Sequence, residues 1–148
     1  MNVTLLTLSL LILSIPIPVG AAETRGLDSY LAAIDAPLTT TGITMMGGTS
    51  ETLLEKVLDE QRTLYQRGRS LAAFAMVSDH TGVDTLTLLA DTHMHPALRK
   101  QALISLAKVY GASAPARVTA TLIERLPGPP RWAETIQSLL DDLRANHR

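Results

Sequence analysis

Two pairs of opposite charges recur at one fixed offset. Asp59 and Arg67 return as Asp91 and Arg99, each 32 positions further on. A carboxylate and a guanidinium can form a charge-assisted, two-pronged hydrogen bond, which is structural rather than catalytic chemistry. At about 100° per residue, Ala102, Leu103, Leu106, Ala107 and Tyr110 all fall within roughly 80° of Arg99 on a helix. Arg67 sits the same way relative to Leu64, Leu71, Phe74 and Ala75. A charge at the centre of an apolar stripe needs a partner. Asp59 and Asp91 are the candidate partners, so an Asp–Arg ladder linking neighbouring units is expected. The alternative is that both arginines reach past the stripe to water.

Other chemistry is sparse. His93-Met94-His95 places two imidazoles two residues apart beside Asp91, without a third reliable ligand, and reads as a solvated turn. Gly47-Gly48 is a flexible pair and lacks the residues of a phosphate-binding loop. There is no cysteine, which excludes disulfides and cysteine-based zinc sites. No nucleophile or cofactor motif is found, so no catalytic, cofactor-binding or metal-binding residue is expected. The net charge of −1 gives no basis for nucleic-acid binding.

The elements that would position these residues are helices. Leu and Ala are abundant and aromatic content is only 3%, a mix that favours helix over strand. Residues 1–22 hold an almost wholly apolar run, Val3 to Val19, followed by the small residues Gly20-Ala21-Ala22. That pattern predicts a secretory signal peptide, with an uncleaved anchor as the alternative. Leu27 to Ile34 reads as a short helix capped by Asp28, and Pro37 to Thr49 as a Thr/Gly-rich linker. Thereafter Ser50 caps a helix over 51–59, and further helices follow over 63–77, 83–90 and 96–110. Ser113 caps the next one, Pro127 to Pro130 stop it, and the last runs over 131–143. This predicts an all-α chain with three helical hairpins over 51–148, after a short segment at 23–50.

The offset of 32 aligns more than charges. Leu54, Val57, Leu71, Phe74 and Ala75 return as Leu86, Leu89, Leu103, Leu106 and Ala107. A period in this range signals stacked repeats. Together with Asp59, Arg67, Asp91, Arg99 and Ala102, these residues resemble a HEAT repeat over about 51–143. The third unit keeps an arginine, Arg131, but has Ile123 where the aspartate would stand, as suits a terminal cap.

The resemblance implies an α-solenoid that binds other macromolecules, with the second helix of each hairpin lining the concave face and no common catalytic residues. On those second helices lie Arg62, Arg67, Arg69, Arg99, Lys100 and Lys108, without an acid. Setting the two ladder arginines aside leaves Arg62, Arg69, Lys100 and Lys108 as free positive charge, with Tyr65 and Ile104 on the same side. Two readings follow: simple solvation of an exposed face, or a shallow groove for a protein partner with an acidic surface. The expected function is a non-enzymatic protein–protein interaction module, secreted or periplasmic. An accessory or regulatory subunit of an exported enzyme complex is the alternative.

The exported chain is expected to begin near Glu23. N-terminal sequencing checks this, and a membrane fraction retaining Met1 or Asn2 would establish an anchor instead.

Overall fold

The computed structural model describes residues 20–91, 94–125 and 130–146. The apolar run up to residue 19 lies outside them, as do His93, Leu126 and Pro127. Eight helices are described: α1 (Gly20–Ala32), α2 (Thr40–Met45), α3 (Ser50–Leu58), α4 (Leu64–Val77), α5 (Gly82–Asp91), α6 (Pro96–Tyr110), α7 (Pro115–Arg125) and α8 (Pro130–Asn146). There is no strand among the described residues, and none of their helices is long and apolar enough to cross a membrane.

Local hydrogen bonds set the helix starts. Thr49, one residue before the expected cap Ser50, accepts from the Thr52 N–H, while the Thr52 hydroxyl accepts from the Thr49 N–H. Thr63 and Gln66 make the same reciprocal box at the start of α4. Each box satisfies two amides that the first helical turn leaves unpaired. The second box restarts the helix after the Asp59–Arg62 turn, a break that apolar periodicity alone does not show. At α6, Pro96 takes the first helical position and His95 is the cap, its Nδ1 accepting from the Ala97 N–H at 3.2 Å.

The segment before residue 50 differs from expectation. Asp28 is not a cap but lies inside α1, because its carboxylate is taken by partners on other elements. The Thr/Gly-rich stretch is not a plain linker, since it contains α2. Thr39 caps that helix by accepting from the Gly42 N–H, and Ile43 is fully buried. At its end the Gly47 N–H donates to Thr44 and the Gly48 N–H to the Ile43 carbonyl at 2.8 Å. Gly47 has φ of 76°, so the pair forms a Schellman stop and is fixed, not flexible.

Packing is between hairpins. α3 pairs with α4, α5 with α6, and α7 with α8; α4 also lies on α6, and α6 on α8. The repeat-equivalent residues Leu71 and Leu103, Phe74 and Leu106, and Ala75 and Ala107 are all buried. Burying one such large side chain contributes about 1.5–3 kcal/mol. Leu27, Leu31 and Ile43 join the same core, and α1 and α2 both pack on α4.

Two long-range polar clamps lock the arrangement. The Tyr110 hydroxyl lies 3.2, 3.0 and 3.0 Å from the carbonyls of Ala75, Ser78 and Asp79, at the exit of α4. Gly82 sits directly beneath that hydroxyl, leaving no room for a Cβ. Burial, with the Asp79 charge adding to it, raises the Tyr110 pKa above its ordinary value. At the other end, Asp28 accepts from Lys56 Nζ at 2.7 Å and from both Arg62 Nη atoms at 2.9 and 3.2 Å.

Burial opposes ionisation of Asp28, but the hydrogen bonds and charges of Arg62 and Lys56 outweigh it and hold its pKa below 3.8. The folded pKa is thus depressed. The clamp is fully present above the unfolded carboxylate value of about 4 and is lost as pH falls through the folded value. Asp28→Asn would strand Lys56, whose side chain is only 10% exposed. Asp28 itself is 39% exposed, so solvent screening holds the expected loss at pH 7 to about 1–2 kcal/mol, below that of a fully buried pair. Denaturant midpoints at pH 7 and pH 3 check this: the gap between variant and wild type should narrow at the lower pH.

Candidate functional site

The recurrent arginines do not form the expected ladder. Arg67 Nε donates to the Val57 carbonyl at 2.8 Å, and Arg99 Nε to the Ala90 carbonyl at 2.9 Å. Both acceptors lie in the last turn of the preceding helix, where carbonyls lack intrahelical partners and carry partial negative charge. The arginines are satisfied there without drawing a carboxylate out of water. The aspartates turn elsewhere. Asp59 accepts from Arg62 Nε at 3.1 Å and from the Gln61 N–H at 3.0 Å. Asp91 takes Arg125, with Nε to Oδ1 at 3.0 Å and a second contact from Nη2. Arg117 pairs likewise with Asp84.

The expected interaction residues divide into two groups. Arg62 is held by Asp28 and Asp59 and is only 20% exposed, so it is not free charge. Burial opposes its protonation, but the Asp28 hydrogen bond leads in raising its pKa, with the charges of Asp28 and Asp59 adding. Arg69 is also engaged: Nη2 donates to the Ala36 carbonyl at 2.8 Å, and the guanidinium lies over the Tyr65 ring at 5.9 Å. Its contacts are carbonyls and a ring, with no carboxylate among the described residues. Its Nε is buried without a protein acceptor. Tyr65 is 44% exposed and donates to the Ala33 carbonyl at 3.3 Å. Ile104 is half-buried against the core. Lys100 and Lys108 make no ion pair among the described residues, and Lys108 is exposed.

α6 packs against both α4 and α8. Several shallow clefts lie along α6. One, of about 300 Å³, lies against α4 and is lined by Leu64, Tyr65, Gly68, Arg69, Ala97 and Gln101. A second, of about 380 Å³, lies between the starts of α6 and α8, beside His95, Lys100 and Trp132. A third, of about 450 Å³, lies further along and carries Ile104, Lys108, Glu134 and Asp142. Tyr65, Arg69, Lys100, Ile104 and Lys108 each line one of these clefts, whereas Arg62 is drawn to α1.

His95 is occupied in capping α6, and His93 lies outside the described residues. No group of three His, Cys, Asp or Glu that could hold a metal is found among the described residues. Sequence reasoning missed the ion-pair roles of Asp28 and Arg125 and the Arg99–Trp132 stack, in which the guanidinium lies 5.2 Å from the ring centre. Comparison of the chain with protein-family models, with curated proteins and with solved structures finds no match.

Arg99 joins three elements: it sits on α6, caps α5 and stacks on α8. Arg99→Ala should cost about 2–3 kcal/mol, the sum of a charged hydrogen bond and a partly desolvated cation–π contact. Arg99→Lys should recover only part of it, because an ammonium lacks the planar fork. Lys100→Ala and Lys108→Ala should stay within about 0.5 kcal/mol of wild type. Urea midpoints that coincide for all four variants would remove the staple from the account.

Proposed function

We propose that the chain is a non-enzymatic protein–protein interaction module, a short HEAT-like α-solenoid that works outside the cytoplasm after loss of its N-terminal apolar segment. The fold class rests on the residues that repeat at an offset of 32. It is supported by the consecutive pairing of α3 with α4, α5 with α6 and α7 with α8, and by α4, α6 and α8 lying side by side. The observation that carries the interaction reading is the face itself. It combines exposed apolar side chains, Leu64 and Tyr65, with two lysines that no carboxylate claims among the described residues. Such a mixture of aromatic anchors and unspent charge suits recognition of a folded partner with an acidic surface.

The N-terminal boundary fits the same reading. Cleavage before Glu23 would remove only the first three residues of α1 and leave Asp28, Leu27 and Leu31 in place. Whether the partner is itself an enzyme decides between a scaffold and an accessory subunit.

Crosslinking of the mature protein in an extract of its native compartment should yield a discrete adduct through α4 and α6. Lys100→Glu with Lys108→Glu should slow association with that partner at low salt and leave the thermal midpoint unchanged. The difference should shrink at physiological ionic strength, where screening limits these charges to about 8 Å. Equal association rates for variant and wild type at low salt would place the contact off this face.

A further inference from the structure

Gly68 lies in the interior of α4, where glycine costs about 1 kcal/mol relative to alanine. The two ordinary reasons for keeping a glycine are missing. Its backbone does not need one: the only described glycine with positive φ is Gly47. Nor does packing: a Cβ at Gly68 would meet nothing within 4 Å. Gly82 and Gly111 are different, since a Cβ there would collide with Tyr110 and with Leu143 respectively. The absent side chain at Gly68 instead opens the cleft between α4 and α6. Leu64 and Tyr65 stand exposed at its rim.

The charge of that cleft is one-sided. Arg69 is the sole charged residue lining it, and its contacts within the chain are carbonyls and the Tyr65 ring. The adjoining cleft, which shares Ala97, adds Lys100 and no acid. The cleft at the far end of α6 instead carries Glu134 and Asp142 against Lys108. An acidic segment is thus favoured over α4 and the start of α6 and less favoured toward the far end of α6.

Building on the interaction reading, we propose that the α4–α6 cleft is the specificity pocket. It seats one large apolar side chain of an acidic peptide segment over Gly68, with a neighbouring Asp or Glu of that segment facing Arg69 and Lys100.

A phage-displayed random dodecapeptide library selected on the full exported chain tests this. The enriched peptides should carry a large apolar residue within three positions of Asp or Glu. Synthetic copies should bind Gly68→Leu at least tenfold more weakly than wild type. Gly68→Leu should also keep or raise the thermal midpoint, because leucine is the better helix former and has open space to enter. Replacing the peptide's acid by its amide should weaken binding and flatten its salt dependence. Peptides that bind Gly68→Leu within twofold of wild type would overturn the pocket while leaving an interaction elsewhere on the face intact. A selection that enriches nothing over a blank surface would also overturn it, and the extract crosslinking would still decide the broader reading independently.

Discussion

The structure depends on how two arginines end two helices. Arg67 and Arg99 each reach back from the second helix of a hairpin to a carbonyl in the last turn of the first. A helix terminus leaves carbonyls without partners, and in a hairpin those carbonyls face the neighbouring element, where water cannot serve them well. One guanidinium supplies both the donor and a favourable charge for the helix dipole. The same bond recurs in both hairpins, and α4 packs on α6.

Different devices tie down the first and the last helices. Before the first hairpin, α1 and α2 bury Leu27, Leu31 and Ile43 against α4, and Asp28 draws in Lys56 from α3 and Arg62 from the following turn. Toward the end, Trp132 of α8 packs in the core with Arg99 across its ring. The two devices differ chemically. The first is an ion-pair cluster that acid weakens; the second is a cation–π stack.

Much of the helical framework was legible in the sequence. Pro96 and Gly111 bracket α6 as their backbone preferences require, and the repeat pairs Leu71 with Leu103 and Phe74 with Leu106 point to buried positions. The partners of the charges were not legible. Aspartates and arginines at matched offsets suggested a ladder, yet backbone carbonyls, which every residue carries and no sequence pattern marks, won the arginines. Asp91 with Arg125 and Asp28 with Arg62 are each 34 residues apart and depend on how whole hairpins dock. α2 was hidden for a different reason. Its threonines and glycines argue for a loop, and it persists because Ile43 is buried and both ends are hydrogen-bonded. Likewise, the freedom of Arg62 and Arg69 could not be judged before α1 and its following loop were placed beside them.

The Tyr110 hydroxyl has a consequence for how the molecule comes apart. Tyr110 closes α6, the last helix of the second hairpin, but its hydroxyl bonds to the carbonyls at the exit of α4 in the first. Fraying of the end of α6 must therefore release the link between α4 and α5 at the same moment. Adjacent hairpins joined only by side-chain packing can open one by one, each as its own cooperative unit. Here one phenol fuses two such units. Amide hydrogens at the end of α4 and at the end of α6, far apart in the chain, are accordingly exposed to exchange by a single opening event.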